Sequence, residues 1–246
     1  MLDLIRLRLR QRTRPADMSA DGAALPERFR GRPKATDMAG SRSLPVIDLG
    51  RSVFASEELA ERSDVAYSLD HRMAVSSREA LVMDGGEIEL AAALSERMRK
   101  VLGRSLRLRS VAAGSCGGCE AELTALGNVV FDMGRFGIQF VASPRHADGI
   151  VVTGAVSANM REALEKTYEA VPDPKIVIAV GACAISGGPF AGSAEALGIP
   201  ADLPVDLFVP GCPPHPYTLL DGILRLLGRL PDPQASAPGP RPGPLG

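Results

Sequence analysis

Tryptophan is absent from this 246-residue chain, and aromatic residues make up only 4% of it. Hydrophobic residues still reach 45%, so a sizeable core is available and must be aliphatic. Cysteine is scarce too. Four in the whole chain are too few for a secreted domain built on disulfides. No apolar run approaches the roughly 20 residues needed to span a bilayer. The leucine–arginine start lacks the uninterrupted apolar core of a secretory signal, so a cytoplasmic protein is expected. The glycine-rich phosphate loop of dinucleotide-binding proteins is also missing, so no dinucleotide is expected to bind this chain. A net charge of -1 provides no whole-chain field for nucleic acid, and no nucleic-acid partner is expected.

Charge is unevenly spread. Residues 1–42 carry ten Lys/Arg against five Asp/Glu, and residues 43–100 carry seven against eleven. The opening MLDLIRLRLRQRTR reads either as a solvated basic tail or as a basic amphipathic segment touching a partner or an anionic membrane surface. With the Pro-, Gly-, Ser- and Arg-rich stretch behind it, residues 1–47 form a basic, largely irregular arm. Residues 48–104 read as a partly helical extension. SEELAER, from Ser56, can make a capped turn. GEIELAAALSERMRKVLG predicts a helix with Leu90, Leu94, Met98 and Val101 on one face and Gly103 as its stop. The Pro/Gly-rich tail, 231–246, is expected to be disordered.

From residue 105 to 230 the rhythm changes to strands alternating with helices. LRLRSVAA (106–113), GIQFVAS, GIVVTG, KIVIAVG (175–181) and VDLFVPG (205–211) read as strands. Helices are predicted from about Glu120 to Met133, from Ser157 to about Val171 and from His215 to Leu230. The near-continuous apolar runs mark strands buried on both faces. The alternation implies an α/β fold, a doubly wound parallel sheet with helices on both sides.

Cys116 and Cys119 follow the first of these strands, Cys183 follows KIVIAVG, and Cys212 follows VDLFVPG. Each stands at or just past the C-terminal end of a parallel strand, where open α/β sheets form their binding crevice. Four thiols are therefore expected to converge. Glycines such as Gly114, Gly117, Gly181, Gly188 and Gly211 surround them, clearing room for a bulky group. Four thiolates suit a [4Fe–4S] cluster or a zinc ion. A redox dithiol and unliganded buried cysteines are the remaining readings. Only one short cysteine pair exists, whereas structural zinc usually takes two, so the spacing favours the cluster.

SCGGCEAEL, SPRHADGIVVTGAV, PDPKIVIAVGACAISGG and PVDLFVPGCPPHP resemble, in order and spacing, motifs of the small electron-transfer subunit of group 4 membrane-bound [NiFe] hydrogenases, with the formate hydrogenlyase type nearest. That family is homologous to the 20 kDa (B) subunit of respiratory NADH–quinone oxidoreductase, complex I. The resemblance runs from about residue 106 to 230. It implies a flavodoxin-like domain with one [4Fe–4S] cluster on Cys116, Cys119, Cys183 and Cys212, relaying single electrons to the active site of a large subunit. The implied partners are that large catalytic subunit (like that of [NiFe] hydrogenase, or the D subunit of complex I), a ferredoxin-like iron–sulfur subunit and membrane subunits. The implied location is peripheral, on the cytoplasmic face of the cell membrane. Feeding quinone, as in complex I, and a metal-bearing structural adaptor are the alternatives. The complex I branch has adjacent tandem cysteines in the first motif. This chain has C-G-G-C, as hydrogenases do, although Gly117 stands where that branch often has Asn.

MLDLIRLRLR and RFRGRPK (28–34) faintly resemble the start of the ferredoxin-like subunit of the same complexes. Residues 1–115 hold no cysteine, so such a domain here would be a remnant without clusters. Glu120 and Glu122 are candidates for proton coupling beside the cluster, and acids there also complement a helix N-terminus. His146 reads as a loop residue, Arg145 as a hydrogen-bond donor near the cluster or a strand cap, and His215 as a helix start. Phe190 and Tyr217 read as interface filling.

Overall fold

A computed structural model describes residues 25, 28–35, 47–51, 65–83 and 88–230. The opening basic segment, SEELAER and the Pro/Gly tail lie outside the described residues. The body is a five-stranded parallel sheet of β5 (Leu106–Ala112), β6 (Ile138–Phe140), β7 (Gly149–Thr153), β8 (Ile176–Val180) and β9 (Leu207–Val209), in the order β6-β5-β7-β8-β9. Ranked by position in the chain this is 2-1-3-4-5, the flavodoxin-like winding, whose order reverses between its first and third strands. Every residue of β7, β8 and β9 is buried, as apolar runs between two helical layers require.

Side chains alternate between the faces of the sheet. On one face Leu106, Leu108, Val151, Ile176 and Ile178 pack with Leu220, Ile223 and Leu224. These last three belong to α5 (Pro216–Leu226), the helix expected from His215. Pro216 at its first position suits a helix start, having no N–H to leave unpaired. On the other face Ile150, Val152 and Val177 pack against Leu164 of α3 (Ala158–Glu169).

The rest of that second face is covered from the N-terminal side of the chain. Two antiparallel pairs form in these segments, β1 (Pro33–Ala35) with β3 (Val65–Tyr67) and β2 (Ile47–Asp48) with β4 (Val82–Met83), and the second pair lies on this face. Leu49, Met73, Val75, Leu81 and Met83 pack on Ala179, Ile185 and Phe208. Val75 and Phe208 exchange backbone hydrogen bonds of 3.0 and 2.9 Å, which covers the exposed edge of β9.

Three expectations need correction. The stretch 15–47 is not irregular throughout, since Pro33–Ala35 is a strand. Of the helix expected over residues 86–103, α1 (Glu96–Leu102) is the only part that forms among the described residues. Residues 88–95 run without helix, because Ala91 N–H donates to the Ala74 carbonyl at 2.8 Å and Leu94 N–H to that of Leu226 at 2.9 Å. Ser95 then caps α1 through the Met98 N–H. The helix expected from Glu120 to Met133 is α2 (Gly118–Ala125) and stops early. The Asn128 side-chain oxygen accepts from the Val130 and Phe131 N–H groups at 2.8 and 3.1 Å, a local turn that competes with the helix.

Candidate functional site

After β5 the chain turns through Gly114 to Cys116, and Gly117 opens α2 as its N-cap at φ 88°. Cys119 lies in the first turn of α2. Cys183 lies in α4 (Gly181–Ser186), which starts directly after β8. Cys212 stands three residues past the end of β9. Ala182 N–H donates to the Gly211 carbonyl at 2.9 Å, tying the Cys183 loop to the Cys212 loop. All four cysteines are free, and all sit at the C-terminal edge of the sheet.

The thiols feel one another. Burial, then Glu120, then Cys183, Cys212 and Cys116 push the Cys119 thiol up to about 12. Burial, then Cys212, Cys116 and Glu120 raise Cys183. Burial, then Cys116, raises Cys212. Thiols grouped this way resist ionisation unless a cationic centre stands among them. Two glycines leave the sulfurs room. A Cβ on Gly181 would lie 2.6 Å from Cys119 Sγ, and one on Gly188 would lie 2.7 Å from Cys183 Sγ. Both glycines have positive φ, 85° and 58°, which side chains on L residues rarely adopt. Among the described residues, no three His, Cys, Asp or Glu side chains gather closely enough to hold a single metal ion. Donor type, electrostatics and the room left by the glycines fit a cationic group bound by thiolates.

A family model described as NADH ubiquinone oxidoreductase, 20 kDa subunit, matches residues 116–226, from the first of these cysteines into α5. A probable membrane-bound hydrogenase subunit, mbhJ, from Pyrococcus furiosus is 46% identical over 133 residues, 53% of this chain and 79% of that protein. This chain belongs to the 20 kDa subunit family. It is therefore an oxidoreductase subunit, and subunits of this family are iron–sulfur proteins. The NADH-quinone oxidoreductase B subunit of Heliobacterium modesticaldum is 47% identical over 117 residues, covering 47% of this chain and 67% of that one. A chain in the solved structure of the membrane-bound sulfane sulfur reductase, an archaeal respiratory membrane complex, aligns at 33% identity over 55% of this chain and 75% of its own length, with a TM-score of 0.48. Among the described residues no helix is long and apolar enough to cross a membrane.

The two acids of the 20 kDa family segment differ. Glu120 accepts a hydrogen bond from Thr153 Oγ1, at the end of β7. Burial pushes its carboxyl up, but hydrogen bonds from Thr153 and Ser115 outweigh this and hold it below the usual value. Glu120 is thus tied down as a carboxylate bridging two strand ends. Burial raises Glu122, which lines a cavity of about 300 Å³ together with Cys212 and His215.

His215 is the N-cap of α5. Its Nδ1 accepts from the Tyr217 N–H at 3.2 Å, and its ring stacks on Tyr217 at 5.6 Å. Arg145 and His146 are not brought to the thiols. They are exposed in a short turn, Pro144–His146, that leads to the start of β7, where Asp148 N–H bonds the Arg107 carbonyl near the beginning of β5. Phe190 is 62% exposed just beyond Cys183.

Sequence reasoning missed Arg28, Phe29 and Arg30, which wall the same cavity beside Cys212. Phe29 meets the His215 ring edge-on at 5.3 Å. RFRGRPK was the available signal, but its basic, turn-like composition names no position in the fold.

Proposed function

We propose that this chain is the electron-transfer subunit of a membrane-associated complex of hydrogenase or formate hydrogenlyase type, with Cys116, Cys119, Cys183 and Cys212 holding one [4Fe–4S] cluster. The meeting of four thiols from three separate loops at one sheet edge carries this reading. Bound there, the cluster supplies a one-electron stop between an iron–sulfur partner and the active site of the large subunit. The chain's own part is to hold four thiolates in a glycine-cleared space and to exclude water behind them. Phe190 and Leu197, large apolar side chains exposed beyond Cys183, form a rim for the large subunit to cover. Of the two acids, Glu122 is the one placed to exchange protons, because it faces a cavity next to Cys212, whereas Glu120 is occupied by Thr153.

The homology supports a large catalytic subunit, a ferredoxin-like iron–sulfur subunit and membrane subunits as partners, with this chain peripheral on the cytoplasmic face. A complex I-type role, feeding quinone, is the second reading. It is favoured by the 47% identity to the Heliobacterium modesticaldum NADH-quinone oxidoreductase relative. The two glycines separating Cys116 from Cys119 weigh for the hydrogenase branch. A zinc-bearing adaptor is disfavoured by the spacing, since structural zinc usually takes two short cysteine pairs and this sequence has one.

Anaerobic purification followed by iron and sulfide analysis tests the reading. About four of each per chain are expected, with a paramagnetic signal on reduction that disappears in Cys183→Ala. Stoichiometric zinc without iron overturns it.

A further inference from the structure

We infer that the turn around Asp48 and Gly50 is a positioning element for the loop that carries Cys183, acting through Ser186 and braced by Arg78. The inference rests on the proposed role of Cys183 as a ligand.

Cys183 sits in a helix of six residues, and a helix that short has little stability of its own. Something outside it must fix its orientation. Ser186 Oγ, one turn after Cys183, donates to the Gly50 carbonyl at 2.6 Å. The alternative acceptor within the helix, the Ala182 carbonyl, is at 3.2 Å. A hydroxyl has one hydrogen to give, and the shorter contact takes it. The neighbouring Ile185 is 6% exposed and packs among the N-terminal apolar side chains. A Cβ on Gly50 would lie 2.9 Å from Ile185 Cγ2 and 2.8 Å from the Arg78 guanidinium. The turn is therefore pressed flat between Arg78 and α4, and a side chain at position 50 would force the two apart.

The turn is fixed in its own right. Gly50 N–H donates to Asp48 Oδ1 at 2.9 Å. Both terminal nitrogens of Arg78 donate to the same carboxylate, each at 2.8 Å, the paired geometry that makes arginine–carboxylate contacts rigid. Leu49 N–H donates to the Leu81 carbonyl at 2.9 Å. A continuous path of short contacts thus runs from Arg78 through Asp48, Gly50 and Ser186 to the loop of Cys183. Asp48, Gly50 and Arg78 precede the family match, which begins at residue 116, whereas Ser186 lies inside it. Loss of groups that orient a metal ligand typically costs about 10–100-fold in metal affinity.

The test uses the full chain with Ser186→Ala, Ser186→Thr, Asp48→Asn and, as control, Asp70→Asn. Asp70→Asn breaks another ion pair of the same region, one that does not lead to α4. One measurement is the rate at which a chelator removes bound metal. The other is amide exchange across residues 181–187 after metal removal, which needs no cluster. Ser186→Ala and Asp48→Asn should speed local exchange about tenfold, the loss of a hydrogen bond worth about 1.4 kcal/mol. They should also speed metal loss, whereas Ser186→Thr keeps both rates and Asp70→Asn changes neither. Unchanged exchange in Ser186→Ala, or equal acceleration in Asp70→Asn, overturns the inference. Ser186→Ala decides the matter alone if Asp48→Asn does not fold. If exchange responds as expected while the wild-type chain holds zinc and no iron, the brace stands and the cluster reading falls.

Discussion

Two of the three thiol loops follow β8 and β9, the strands on which the N-terminal segments pack, and the two regions are held by different physics. Around the thiols, glycines at positive φ keep side chains away, and burial together with the neighbouring sulfhydryls makes Cys119, Cys183 and Cys212 harder to ionise. Those features leave the loops poorly suited to stabilise themselves and well suited to receive a cationic group. The N-terminal segments bury Leu49, Val75 and Leu81 completely and supply no thiol. They stabilise the sheet that carries the loops. The family match begins at Cys116, so a segment outside it performs the packing on which a segment inside it depends.

The packed side is the more sensitive to substitution. Leu81→Ala should cost about 2–5 kcal/mol, as for other fully buried large-to-small changes. Because Leu81 shares a core with Ala179 and Phe208, urea unfolding should shift as one transition. Two separated transitions would mean that the N-terminal segments fold apart from the sheet. Gly188→Ala perturbs the open side. It should cost less stability, about 1–2 kcal/mol for a side chain in the left-handed region. Its Cβ would meet both the Cys183 backbone at 3.1 Å and Sγ at 2.7 Å, so iron per chain should fall. An iron content as high as that of the parent would show that the glycine cradle is not needed.

How much of this was legible in the sequence follows the same division. KIVIAVG and VDLFVPG are apolar without break, so their strands and their burial on both faces could be read directly, and each cysteine beyond them inherited a place at the sheet edge. The N-terminal strands are two or three residues long, too short for any period to register. Residues 88–95 carry apolar spacing that suits a helix, yet their N–H groups at Ala91 and Leu94 are taken by Ala74 and Leu226. Distant partners override local pattern in such stretches. The Ser186–Gly50 contact joins positions 136 apart, and nothing local in either residue announces it. Glu120 and Glu122 looked alike as two acids at a helix start. Only the position of Thr153, brought in by β7, separates the tethered one from the one facing a cavity.

Asp70 lies in the N-terminal segments, away from the thiol loops, and its ion pairs can be perturbed alone. Asp70 accepts from Arg72 N–H at 3.0 Å and Arg72 Nε at 2.8 Å, and its other oxygen lies 3.2 Å from Arg32 Nη2, joining the residue before β1 to the turn after β3. Burial pushes its carboxyl up, but the Arg72 hydrogen bonds and charge, with Arg32, prevail and hold it below 3.8. Since the folded value is the lower one, the contribution of Asp70 is complete above 3.8 and is lost as pH falls through the folded value. Asp70→Asn should therefore cost about 1 kcal/mol or less at neutral pH, as for pairs near a surface. The difference from the parent should shrink as pH drops below about 4. Urea midpoints of both proteins between neutral pH and the acid limb check this. A difference that grows towards acid would assign the opposite sign to the Asp70 interaction. Loss of iron in this variant at neutral pH would erase the distinction between the packed side of the molecule and its open one.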